Sequence, residues 1–243
     1  MSSTGRRIRV IGHGRAGGAF SMALARRGWD VVAPLLRGDD LSAAAEGVDL
    51  LLITTQDDVI GEVAAAVRPV GTTVVAHASG SLGLAVLAGH PRRGAVHPLI
   101  SIPTPEVGSE RLVGGWFAVA GDPLVREVVV SLEGRDFEVA DEDRALYHAA
   151  ACIVSNHVVG LLGQVERVGA MAGVPLDAYL DLLRVTIDNV VELGPARALT
   201  GPAARGDLET IRRHLAALPL SEHEAYEAML NAARRLVEEG GAM

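Results

Sequence analysis

Tyr147-His148 followed by Ser155-Asn156 is the arrangement in this sequence most suited to acid–base chemistry. At about 100° per residue on a helix, His148, Cys152 and Ser155 fall within about 40° of one another, with Asn156 at the edge of that stripe. One face would then carry an imidazole, a hydroxyl and an amide. Imidazole titrates near neutrality, so His148 is the expected proton donor to a developing alkoxide, with Asn156 and Ser155 beside it to orient the reacting group. An ordinary packed histidine on an Ala-rich helix accounts for the same residues. Two further histidines sit in His77-Ala78-Ser79-Gly80 and His97-Pro98-Leu99, and His97 competes with His148 as donor. Downstream, Leu199-Thr200-Gly201-Pro202 and Arg205-Gly206-Asp207 place Thr200 and Arg205 in a glycine-flanked turn. A guanidinium fork there suits a substrate carboxylate, although pairing of Arg205 with Asp207 explains it equally.

What the chain lacks narrows the chemistry. All 22 basic residues are arginine, so Schiff-base, pyridoxal and lysine P-loop chemistry are closed. One cysteine, Cys152, leaves no internal disulfide and no thiolate metal cluster, and no metal site is expected.

Gly12-His13-Gly14-Arg15-Ala16-Gly17 is a complete G-x-G-x-x-G placed between the apolar run Arg7–Ile11 and an Ala-rich stretch. In a strand–turn–helix setting the first glycine makes the turn and the second admits a pyrophosphate to the backbone. The third lets helix and strand pack closely, and the helix N-terminus adds positive potential. A glycine-rich turn in another doubly wound fold is the alternative. The next strand ends Val31-Val32-Ala33-Pro34-Leu35-Leu36-Arg37 with no acid before Asp39. Arg37, helped by Arg15, is therefore expected at a 2′-phosphate, which selects NADPH over NADH; a solvated loop arginine is the plainer reading. Thr54-Thr55, His77 and Ser79 end later strands and are expected along the same crevice.

These groups need a parallel sheet to position them. Short β-branched runs alternate with Ala-rich stretches through residue 140. Strands are expected near 7–11, 30–35, 49–54, 72–77, 94–97, 116–120 and 137–139, with helices starting near Ala16, Val59 and Leu82. From Asp141 to Ala172 the sequence reads as one nearly unbroken helix. A second runs from Pro175 to about Leu193, then a loop over 194–206. A third helix starts at the N-cap Asp207, and a fourth carries the capping box Ser221–Glu224. The expected organisation is an α/β doubly wound Rossmann domain over 1–140 and an all-α domain over 141–243 for substrate binding and dimerisation.

With 243 residues, 49% hydrophobic, a sizeable core is available. A net charge of −8 and eight aromatic side chains argue against nucleic acid as a partner. No apolar run approaches the length that spans a bilayer, and the stretch after Arg9 is broken at once by Gly12-His13-Gly14. A cytoplasmic protein is expected.

Taken together, Gly12–Gly17, His77–Gly80, His97–Leu99, Tyr147-His148 with Ser155-Asn156, and Leu199–Pro202 with Arg205–Asp207 resemble a bacterial family. Its members pair a Rossmann-like NADP-oxidoreductase domain with a C-terminal helical domain of unknown function. Wider relatives in architecture are the pyrroline-5-carboxylate reductases, ketopantoate reductases and prephenate dehydrogenases. The resemblance implies NADPH-dependent reduction of a small carboxylate-bearing carbonyl compound, with ketopantoate the specific expectation. The chain departs from ordinary ketopantoate reductases in lacking their catalytic lysine, so no residue role transfers directly. A cyclic-imine reductase and a catalytically silent NADP-binding sensor are the alternatives. A homodimer through the helical domain is expected, because the apolar residues of the Asp141–Ala172 helix spread around too much of its circumference for a solvated helix.

Overall fold

The computed structural model describes residues 5–240. The chain runs through β1 (Arg7–Ile11), α1 (Arg15–Arg26), β2 (Asp30–Val31), β3 (Leu50–Ile53), α2 (Ile60–Ala66), β4 (Val74–His77), β5 (Arg93–Pro98), α3 (Pro105–Arg111), β6 (Trp116–Gly121), α4 (Leu124–Ser131) and β7 (Arg135–Glu138). The seven strands form one sheet in the order β2-β1-β3-β4-β5-β6-β7, parallel except where β6 runs antiparallel to β5. The period-2 alternation of the strands divides the core. Ile8, Val10, Leu50, Leu52, Val74 and Ala76 pack with Phe20, Leu24, Val125 and Val128 on one face. Ile11, Leu51, Ile53 and Val75 pack with Ile60 and Ala64 on the other. Burial on both faces explains why β3 and β4 read as continuous apolar runs. From β1 the chain goes outward to β2 and returns to β3 on the opposite side. The resulting switch point lies at the carboxyl ends of β1 and β3, where such sheets bind ligands.

Three expectations about local structure need correction. The second strand was expected over 30–35, but only Asp30–Val31 is regular, with an isolated bridge from Leu35 to Ile11. Pro34 cannot donate to the ladder. The helix expected from Leu82 is a single 3₁₀ turn over Leu84–Leu87, cut short by Gly89 and Pro91. Conversely, α3 and α4 were not expected at all. α4 is rich in valine, which favours strand locally, yet Leu124, Val125, Val128 and Val129 supply an i, i+1, i+4, i+5 buried stripe.

The run from Asp141 is helical throughout but not uniform. A 3₁₀ turn over Asp141–Asp143 leads into α5 (Arg144–Cys152), a π-helical turn over Ile153–His157, and α6 (Val158–Met171). The wider π turn slips the α-helical phase, so the stripe drawn from His148 through Ser155 to Asn156 does not continue as one face. By length and composition the whole run Asp141–Met171 could cross a membrane, with a window of mean hydropathy 1.4.

After α7 (Leu176–Leu193), the segment expected as loop folds into two short helices, α8 (Pro195–Ala198) and α9 (Pro202–Arg205), each with proline at its first position. α10 (Leu208–Ala217) is capped as expected, the Thr210 amide donating to Asp207 at 3.0 Å. α11 (Leu220–Gly240) starts before Ser221, so Ser221–Glu224 lies inside the helix rather than at a cap. Glu222 instead accepts from Arg167 Nε at 2.7 Å.

The chain forms two compact units, Met1–Ser155 and Asn156–Met243. The division falls later than residue 140 because the side chains of α5 pack with the sheet's strand ends. In the second unit Ile211 is the lone buried hydrophobic among the described residues, while Val159, Leu182, Val185, Val191 and Leu220 are all more than half exposed.

Candidate active site

The glycine loop is built as the sequence requires. Gly12 has φ +89°, a left-handed conformation that side chains resist, and its amide donates to the Leu35 carbonyl at 3.0 Å. A Cβ on Gly17 would stand 2.1 Å from the Gly12 carbonyl oxygen, so only glycine lets α1 start this close to β1. Gly14 faces open space instead, and it N-caps α1 without any side-chain hydrogen bond. An uncapped helix N-terminus with an exposed glycine beside it is what a pyrophosphate needs. His13 and Arg15 are exposed around it, and Ala16 is half-buried. Arg37 is exposed in the turn after β2 and, among the described residues, pairs with no acid. Thr54 serves the loop's architecture: its hydroxyl donates to the Gly12 and Ile11 carbonyls. Thr55 packs its methyl toward Gly12 and leaves a buried hydroxyl without a partner.

A second cluster forms at the ends of β4 and β5. Register pairs His77 with Ala95, so His97, two residues on, faces the same side of the sheet. His77 is fully buried; its Nδ1 accepts from the Ser79 amide at 3.2 Å, which puts its ring proton on Nε2. Ser79, expected at the cofactor, is committed elsewhere: its hydroxyl and that of Ser81 each donate to Asp57 Oδ2 at 2.7 Å, pinning the turn after β4 to the turn after β3.

α5 brings Tyr147 and His148 to this edge. The Tyr147 hydroxyl and His97 Nδ1 are 2.7 Å apart, and the His97 ring meets those of Tyr147 and His148 edge-on, each at 5.6 Å between centroids. Desolvation raises the Tyr147 phenol to about 12, so it is the donor in that bond. His97 then carries its proton on Nε2. Burial, with the neighbouring His148 and Arg144 adding to it, lowers His97 to about 4; burial and Arg144 lower His77 to about 4. Both imidazoles are neutral at pH 7.

Gly80 shows where the cluster points. A Cβ at this position would lie 2.5 Å from His148 Nδ1 and 2.9 Å from His97 Nε2. Two imidazole nitrogens therefore converge above one residue that has no side chain to obstruct them. His148 Nδ1 is buried without a hydrogen bond, and its Nε2 lies 3.7 Å from Cys152 Sγ.

Sequence reasoning assigned no role in this site to Arg144, Tyr147, Asp57 or Gly80. Tyr147 was legible as the neighbour of His148, but the others depend on tertiary contacts. Ser155 donates to the Ala151 carbonyl at 2.7 Å and is exposed, as is Asn156. Thr200 and Arg205 are exposed in the helical unit, and Asp207 caps α10 rather than pairing with Arg205. Among the described residues no group of three or more His, Cys, Asp or Glu side chains could hold a metal.

This architecture has known counterparts. A Bacteroides fragilis structure described as a candidate NADP oxidoreductase superposes with a TM-score of 0.79 at 20% identity, covering 96% of this chain and 100% of that one. Protein TM1727 from Thermotoga maritima gives 0.72 at 22% identity, covering 96% and 99%. Pyrroline carboxylate reductase from Plasmodium falciparum, with NADP bound, gives 0.62 at 12% identity, covering 97% and 100%. At such identities the likeness establishes the fold. No curated protein matches the sequence significantly. Residues 117–233, from within β6 into α11, match the family described as Domain of unknown function (DUF2520), a stretch that includes β7 of the sheet.

Proposed function

We propose that the protein is an NADPH-dependent reductase of a small carboxylate-bearing carbonyl compound, with 2-dehydropantoate (ketopantoate) as the substrate. The observation that carries the reading is the convergence of His97 Nε2 and His148 Nδ1 over Gly80, at the sheet edge that also presents the glycine loop. Gly12, Gly14 and Gly17 with the N-terminus of α1 would hold the pyrophosphate, and Arg37 and Arg15 the 2′-phosphate. When bound, the nicotinamide supplies the hydride. His97, fixed by Tyr147 as its Nε2–H tautomer, donates a hydrogen bond to the carbonyl oxygen. His148 delivers the proton that converts the developing alkoxide to a hydroxyl, taking the place of the absent lysine. The likeness to an NADP-bound pyrroline carboxylate reductase supports the cofactor and keeps cyclic imines as the second substrate class.

The helical unit fits a homodimer. Among the described residues Ile211 is its one buried hydrophobic, too small a core to stand alone, and its exposed Leu182, Val185, Ile187 and Val191 need covering. A second copy related by two-fold symmetry is the occupant proposed here.

The test is an NADPH-oxidation screen across small 2-oxo acids and cyclic imines. Oxidation with ketopantoate above the other oxo acids is expected. Turnover of imines alone would move the assignment to the imine reductases, and tight NADPH binding with no turnover would favour a sensor.

A further inference from the structure

Arg144, at the first position of α5, is the largest fully buried side chain among the described residues, with 0% exposure. None of its three guanidinium nitrogens makes a hydrogen bond. The nearest acid, Asp141, is 3.7 Å from Nε, beyond hydrogen-bonding reach, and its Oδ2 already accepts from the Leu84 amide at 2.9 Å. His77 lies close enough to feel the guanidinium charge.

The unmet groups here are of one kind. A guanidinium offers five N–H donors and no acceptor. Donors in excess of acceptors, around a buried positive charge, call for an anionic oxygen ligand. One carboxylate at 3.7 Å compensates the charge but satisfies none of the donors, and the usual remedies for a buried cation so placed are a bound anion or loss of the charge, which arginine resists.

We propose that Arg144 is the receptor for the substrate's carboxylate. The proposal rests on the reading of the protein as an oxo-acid reductase and assigns to Arg144 the part expected of Arg205. Arg144 belongs to the same compact unit as His97 and His148, and its charge reaches His97 as well. A 2-oxo acid has its carboxylate one bond from its carbonyl. An anion site and a proton-donor pair in one cluster suit such a molecule, and the closed surroundings favour a compact anion.

The experiment uses the full chain with NADP present and oxamate, an isostere of a 2-oxo acid that is not reduced. Wild-type protein should bind oxamate by calorimetry and gain thermal stability from it. Arg144→Met should weaken oxamate at least 10-fold while melting, without ligand, near the wild-type temperature, because the guanidinium it removes makes no hydrogen bond. Arg144→Lys, which keeps the charge without the fork, should bind with intermediate affinity and covers the case in which the methionine variant does not fold. Equal oxamate binding in wild type and both variants would overturn the proposal, as would loss of binding in Arg205→Met alone. If NADPH oxidation with oxo acids is intact in wild type while the Arg144 variants bind oxamate normally, this inference fails and the functional reading stands. If wild type neither binds oxamate nor reduces any oxo acid, both fall.

Discussion

Gly80→Ala isolates the convergence of the two histidines from everything else in the protein. Gly80 is not in a left-handed conformation, so alanine brings no backbone strain; the cost is the methyl group itself. That methyl would sit 2.5 Å from His148 Nδ1, about 0.9 Å inside ordinary contact distance, and it would press on His97 Nε2 and Cε1 as well. A misplacement of about 1 Å at a reacting group costs on the order of 10²-fold in rate. Displacing donor and orienting group together should bring the loss to about 10²–10³-fold in kcat, with about 1–3 kcal/mol of stability lost to overpacking. The assay is steady-state NADPH oxidation, with cofactor affinity followed by NADPH fluorescence. Affinity should hold, since the glycine loop is untouched. Wild-type kcat in Gly80→Ala would mean that the two rings have no part in the reaction.

Four further outcomes are expected. Arg37→Ala should weaken NADPH about 10- to 100-fold, the scale of a hydrogen bond to a charged group, and leave NADH nearly unchanged; titrations of both cofactors decide it. Tyr147→Phe removes the hydroxyl that fixes the His97 tautomer, so it should lower kcat about 10-fold or more with little change in NADPH affinity. His77 and His97 are held near 4, below the ordinary value of 6.5, so the unfolded chain binds protons that the folded one does not. Stability should therefore be constant above pH 6.5 and fall as pH drops from 6.5 to about 4, at up to about 1.4 kcal/mol per pH unit for each histidine; denaturant titrations across that window test the slope. Light scattering at micromolar concentration should report about 50 kDa, twice the chain's 25.3 kDa, and a mass near one chain would refute the dimer.

How much was legible follows from which forces are local. Strand β1, the glycine loop and α1 were readable because period-2 burial and glycine sterics act within a dozen residues. Asp207 as a cap was readable for the same reason. α4 was not, because its valines favour strand locally and only packing against the sheet makes them helical. In the site, His77 and His97 were legible as polar residues ending apolar strands. Gly80 and Arg144 were not, since a glycine under two imidazoles and a guanidinium closed off from water are facts of contact. Ser79 was legible as a polar group at a strand end, but its bond to Asp57 was not. The helical stripe from His148 to Asn156 failed because a π turn cannot be foreseen from 100° spacing.

Turnover of ketopantoate by His148→Gln, beside His97→Gln and His77→Gln, tests the central claim most directly. A general acid contributes about 10²–10⁴-fold, so His148→Gln should lose that much kcat with NADPH affinity intact, and His97→Gln should fall by a smaller factor. Near-normal turnover in His148→Gln with loss in His97→Gln would assign the proton to the strand-end histidine. Near-normal turnover in all three would contradict proton delivery from this cluster altogether.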